Sequence, residues 1–206
     1  MMTIFFAALL LGFIFNIAPG AIFAETIRRG AIGGFRPALY VQLGSLAGDA
    51  IWAGLGLLGV GVLLRAEALQ IPVAIAGAAY LYYLAWDSWT AAGKPVATGD
   101  DDHGSALRSG IVLSITNPQN IAYWAALGSA LGAIGITDPQ PLDYAVFFAG
   151  FMASSLAWCF ICAAMIDQVF SGRGEIWKIW TYRLCAAAFF YLASGALWGA
   201  LSQVFS

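Results

Sequence analysis

Asp49 lies in the run Gly44-Ser45-Leu46-Ala47-Gly48-Asp49-Ala50, inside an apolar stretch with no basic residue close to it in sequence. An ionised carboxylate at such depth in hydrocarbon costs about 2.5–3.5 kcal/mol on insertion scales. A carboxyl group that is easier to keep neutral than charged is suited to take up and release one proton. The plainer alternative is a protonated Asp bonded to a neighbouring helix for packing, a task that Asn or Ser performs at lower cost.

Two further constellations interrupt apolar runs: Asn16-Ile17-Ala18-Pro19-Gly20 and Thr116-Asn117-Pro118-Gln119-Asn120. Proline removes a backbone donor and clashes with the carbonyl four residues earlier, and it pushes the preceding residue out of the α region. Away from water, the freed groups need protein or a wet cavity as partner, and Asn offers both donor and acceptor. Half-helix ends and amides at Asn16, Pro19, Gly20, Asn117, Pro118, Gln119 and Asn120 are therefore candidates to bind a small polar substrate. A simple kink patched by Asn is the alternative.

Other chemistry-bearing residues carry weaker signals. Glu25, Asp87 and Asp167 stand near the cytoplasmic ends of apolar runs, with Arg28, Arg29, Lys94 and Arg173 in the same layer. Interfacial ion pairing is the bland reading and a cytoplasmic gate the sharper one. His103 follows three aspartates and reads as part of a solvated charge run, not as a metal ligand. Cys159-Phe160-Ile161-Cys162 has C-x-x-C spacing, but its depth in an apolar run favours packing over redox or metal chemistry.

The elements that must position these groups follow from composition. Of 206 residues, 61% are hydrophobic and 10% charged, with a mean hydropathy of +0.81; soluble domains average about 25% charged. That excludes a cytosolic enzyme, a nucleic-acid binder and a disulfide scaffold, and three cysteines imply no disulfide framework. Apolar runs fall at 3–25, 38–64, 69–92, 107–134, 142–169 and 177–204. Each suits a span of about 20 or more residues. The N-terminus lacks a basic n-region and a clear cleavage site, so the first run is expected to stay as a helix.

Turn and charge signals separate the runs: Arg28-Arg29-Gly30 to Arg36-Pro37, Arg65 to Pro72, Gly93 to Ser105, Asp138 to Pro141, and Ser171 to Gly174. Arg28, Arg29, Arg36, Lys94, Arg108, Arg173, Lys178 and Arg183 fall on one side and only Arg65 on the other. The positive-inside rule then places both termini outside the cytoplasm. The expected fold is an all-α polytopic membrane protein. Six transmembrane helices form a 3+3 inverted repeat with helices 1 and 4 interrupted. Residues 1–92 form the first triplet, 93–106 a flexible cytoplasmic loop, and 107–206 the second triplet. Gly44-xxx-Gly48, Gly54 to Gly61 and Gly128-xxx-Gly132 allow close helix contact and a dimer seam, and Trp86, Trp89, Trp177 and Trp180 read as interfacial anchors.

Pro19-Gly20, Gly30, Gly33-Gly34, Ala38, Gly44 and Gly48-Asp49 resemble the N-terminal pattern of the LysE/RhtB amino-acid exporter family. Gly77-Ala78-Ala79-Tyr80-Leu81-Tyr82-Tyr83-Leu84 is similar to its third-helix signature, and Ser114-x-x-Asn117-Pro118-x-Asn120 to its fourth. The resemblance spans about residues 3 to 204 and looks like the branch associated with chemosensory pilus systems. It implies six helices, export driven by the proton-motive force, a bacterial inner membrane and a homodimer. Three departures stand out: Ala21 replaces the proline of Pro-Gly-Pro, Gln119 the lysine of Asn-Pro-Lys, and Ala85 the glycine after Tyr-Leu.

These readings converge on a secondary exporter, not an enzyme, without cofactor or metal. It moves a small polar metabolite, an amino acid or derivative, against proton influx, and Asp49 carries the proton. A non-transporting membrane partner of a signalling complex is the first alternative. A thiol-redox carrier is weaker, since cysteines are missing beside Pro19 and Pro118. Alkaline phosphatase fused after Ser206 should be active in cells and a fusion within 99–105 inactive; the reverse pattern would invert the topology.

Overall fold

A computed structural model describes residues 1–17, 20–57, 67–93, 103–117, 140–170 and 175–204. Among these the chain forms α1 (Met2–Ile17), α2 (Ala21–Gly33), α3 (Phe35–Leu57), α4 (Glu67–Ala91), α5 (His103–Ile115), α6 (Pro141–Phe170) and α7 (Glu175–Val204), with no strand. At about 1.5 Å per residue, the 30-residue helices α6 and α7 reach about 45 Å. By length and hydropathy α6 qualifies alone as a membrane span. Helices α1 and α2 are each too short, but qualify together as a broken span bent by 65°. Pro19, in the break, lies outside the described residues.

Side chains are sorted in the way expected of a protein in lipid. Phe6, Leu10, Ile14, Trp86, Phe160, Leu184 and Trp198 are exposed, whereas Glu25, Arg28, Gln42, Asp49, Ser109, Ser114 and Ser155 are buried. Water rewards the opposite arrangement. Hydrocarbon outside leaves polar groups to be satisfied within the bundle.

Helix α1 packs on α6, α5 on α3, α4 on α7 and α3 on α6, while α2 lies against α3, α6 and α7. Glycines set the two tightest crossings. A methyl group at Gly44 would strike the Leu107 carbonyl, and one at Gly110 the Val41 carbonyl, so α3 and α5 touch backbone to backbone. Gly150 does the same for α6 and α1 against the Phe5 carbonyl, and Gly12 makes room for the Ser154 hydroxyl. Aromatic and aliphatic residues fill the space around these crossings. One cluster joins Ile4, Ala8, Trp52, Phe147 and Phe151. A second joins Ala24, Leu81, Leu84, Leu113, Cys185 and Phe189.

The structure moves two boundaries read from the sequence. Arg28-Arg29-Gly30 is not loop but helix, because Glu25 lies three and four residues before the two arginines and pairs with both. The turn shrinks to Gly34, whose φ of 75° suits a residue without a side chain. The segment expected as loop to Ser105 is helical from His103, whose ring stacks on Tyr40 at 4.7 Å between centroids. His103 is therefore packed at a helix start, not solvated in a charge run.

Gly44→Ala and Gly110→Ala should each lower the melting temperature in detergent, by about 1–3 kcal/mol of overpacking. Gly195→Ala, in open space on α7, should be neutral or stabilising through helix propensity. Equal melting shifts at all three positions would contradict the close crossing.

Candidate functional site

Ser114 is the point from which the inner site is best built. Its carbonyl would accept from residue 118 in a continuous helix, but Pro118 has no N–H. The Trp52 indole donates to that carbonyl at 3.3 Å, and the Asn117 backbone N–H at 3.4 Å. The Ser114 hydroxyl donates to Asp49 Oδ1 at 2.8 Å. Asp49 and Trp52 are one turn apart on α3, so that helix grips the end of α5 twice. Asp49 is 3% exposed. Helix α5 stops at Ile115, as a residue ahead of Asn117-Pro118 should.

Asn16 sits at the corresponding end of α1. Its amide donates to the Gly12 carbonyl at 2.6 Å and to Ser155 Oγ of α6 at 2.9 Å. Gly20 opens α2 in an extended conformation with free space about it. The structure thus holds Asn16 by α6 and Asp49 by α5. Cys159, one turn beyond Ser155 on α6, is within electrostatic reach of Asp49. Pro118, Gln119 and Asn120 lie outside the described residues, as Pro19 does.

Polar groups continue along the bundle from Asp49. Gln42, Ser45 and Asp49 are spaced i, i+3, i+7 and are all buried on one face of α3. The Gln42 amide donates to Thr26 Oγ1 at 2.9 Å and to Cys162 Sγ at 3.5 Å. Seven residues separate Gln42 from Asp49, about 10 Å along the axis. The three cysteines are free and buried.

Beyond Gln42 lies a charged layer. Arg28 donates through Nε and Nη2 to both oxygens of Glu25, at 2.6 and 2.8 Å, and through Nη1 to Asp87 at 2.8 Å. Arg29 donates to Glu25 at 2.9 Å and to Ser105 at 2.8 Å, and the Ser109 hydroxyl donates to Glu25 at 2.8 Å. Glu25 is fully buried and Arg28 is 5% exposed, whereas the Asp87 side chain is 43% exposed. Two cations and two anions give a neutral layer. Glu25 and Asp87 therefore share Arg28, while Asp167 stands apart beside Gly34, at the α2–α3 turn.

The sequence reading missed Gln42, Ser109, Ser155, Trp52 and the burial of Arg28. The same-face spacing of Gln42, Ser45 and Asp49 was a usable signal; Ser155 had none. An apolar groove of about 440 Å³ runs between α2 and α7 from Gly20 to Trp177, and its walls offer little to orient a polar solute.

Removing one partner of a buried ion pair leaves the other charge stranded, at about 3–5 kcal/mol. Glu25→Gln should therefore unfold at markedly lower temperature in detergent, and Glu25→Leu combined with Arg28→Met should recover part of the loss. A wild-type melting curve for Glu25→Gln would show that the layer is not closed.

Relatives agree with this picture of a membrane helix bundle. The chain is 48% identical over 205 residues, 97% of it and 100% of the relative, to chemotactic transduction protein ChpE of Pseudomonas aeruginosa. It is 30% identical over 126 residues to a homoserine/homoserine lactone efflux protein of Salmonella typhimurium, covering 59% of this chain and 61% of that one. A putative amino acid efflux protein, YcgF of Bacillus subtilis, is 22% identical over 82% of each. No solved structure matches. Residues 13–198 match the family described as LysE type translocator, and the chain belongs to that family of membrane proteins.

Proposed function

We propose that this protein is a secondary exporter of an amino acid or a close derivative, working in a bacterial inner membrane and coupled to inward proton movement. The family and the efflux proteins among its relatives support the class of cargo. The observation that carries the mechanism is Asp49, buried in the α3–α5 crossing with the Ser114 hydroxyl donating to it at 2.8 Å. A carboxyl group there can exchange a proton only if the crossing opens, and that requirement links protonation to conformation.

Helix pairing supports a 3+3 inverted repeat. Exchanging the two triplets maps the contact of α1 with α6 onto that of α5 with α3. Helices α1 and α5 each have a close-approach glycine followed four residues later by a polar residue bonded to a neighbouring helix. These are Gly12 with Asn16, bonded to Ser155, and Gly110 with Ser114, bonded to Asp49. Six spans, both termini outside and a homodimer complete the proposal. The cargo binds near Asn16, Pro19, Gly20, Asn117, Pro118, Gln119 and Asn120. The layer of Glu25, Arg28 and Asp87 closes the cytoplasmic side, and Asp167 flanks the adjoining turn.

A second reading, a non-transporting partner in chemosensory signalling, is favoured by the 48% identical relative, a chemotactic transduction protein. Proteoliposomes loaded with labelled L-homoserine separate the two. Wild-type protein should release the label faster under a pH gradient. Asp49→Asn keeps an acceptor for Ser114, so it should fold yet lose at least about tenfold of the gradient-driven rate. Equal rates in both proteins would remove Asp49 from coupling. Release no faster than from protein-free vesicles, with any gradient and amino acid, would favour the signalling reading.

A further inference from the structure

The charged layer contains one asymmetry that its closing role does not explain. Glu25 binds Arg28 through both oxygens from the same helix, three residues away, and is fully buried. That half of the interaction is built into α2. Asp87 comes from α4, uses one oxygen on one Arg28 nitrogen, and is 43% exposed. Of the two carboxylates on the guanidinium, only Asp87 can leave without stranding a buried charge.

Ser88 supplies a second, independent observation. It is fully buried, and its hydroxyl has no hydrogen-bond partner among the described residues. Serine and threonine in a helix ordinarily return their hydroxyl to a carbonyl one turn back. Thr26, Thr116 and Thr181 all do so here, at 2.7–2.8 Å. Ser88 extends the buried stripe Ala78, Leu81, Leu84, Ala85 of α4 by one turn, into the layer where Asp87 meets Arg28. A buried orphan hydroxyl costs about 1–3 kcal/mol unless something bonds to it.

We infer that the Arg28–Asp87 pair is an inner recognition site for a zwitterionic amino acid, an assignment that rests on the export reading above. The cargo carboxylate replaces Asp87 on the outer edge of the Arg28 guanidinium, a fork suited to carboxylate oxygens. The cargo ammonium takes the Asp87 carboxylate that is released, and the Ser88 hydroxyl bonds to the bound molecule. Two ion pairs replace one and the layer stays neutral. Parting Asp87 from Arg28 also breaks the ion pair between α4 and α2, so the cargo itself loosens the cytoplasmic side.

The test is binding to purified full-length protein in lipid nanodiscs, read by thermal stabilisation and by competition. The probes are L-homoserine, L-threonine and L-lysine, each beside a carboxyl-blocked form, the lactone for homoserine and methyl esters for the others. At least one zwitterion should bind, and its blocked form should bind about tenfold or more weakly. Asp87→Asn should weaken that zwitterion. It should also strengthen binding of the same acid without its amine, 4-hydroxybutyrate in the case of homoserine, because the competing carboxylate is gone. A merely structural Asp87 would not produce that crossover. The inference is overturned if blocked and open forms bind alike, if Asp87→Asn weakens all probes equally, or if no zwitterion binds. Proteoliposome flux that persists alongside any of these results leaves the export reading standing; absence of flux for every amino acid removes both.

Discussion

A polar group inside a bundle surrounded by hydrocarbon has only the rest of the protein to bond with, and this single constraint organises the molecule. It explains why Arg28 and Glu25 form a bidentate pair, why Trp52 turns its indole N–H to a carbonyl that Pro118 cannot serve, and why Asn16 reaches both Gly12 and Ser155. Several of these groups also join helices: Arg28 reaches Asp87 of α4, Trp52 the Ser114 carbonyl of α5, and Asn16 the Ser155 hydroxyl of α6. Packing and polar satisfaction are thus one problem here, and glycine solves its geometric half. Gly44 and Gly110 let α3 and α5 approach until a serine hydroxyl reaches Asp49.

Continuity of polar groups follows from the same constraint. From Glu25 through Thr26 and Gln42 to Asp49, hydroxyls, amides, thiols and carboxyls succeed one another along α2, α3, α5 and α6. A bundle needing only stability would fill these positions with aliphatic residues, which pack as well and carry no desolvation cost. On the proposed export reading, polarity retained at such positions forms a path along which a polar cargo can trade one set of partners for another. Gln42, which leads to the charged layer, stands about 10 Å along α3 from the Asp49 crossing. Opening the layer while the crossing stays shut, and the reverse, is what the proposed transport would require of them.

Membrane residence, the helical class and the family were legible in the sequence, since hydropathy and local motifs are properties of consecutive residues. Asp49 stood out because a lone acid in an apolar run is costly wherever the helix turns. The ends of α1 and α5 followed from proline, whose missing N–H and restricted neighbour are covalent facts. Partners across the bundle were another matter. Ser155, Ser109 and Gln42 are ordinary residues in their own segments, and only the crossing of helices 139 residues apart in sequence gives Ser155 to Asn16. Arg28-Arg29-Gly30 looks like a turn in sequence for the same reason: a run of charge before glycine marks a helix end until the buried partner that holds it in the helix is located. Tertiary structure decided that Glu25 and Asp87 share one buried guanidinium, because pairing depends on which faces meet, and helix faces meet through packing that no local run of residues encodes.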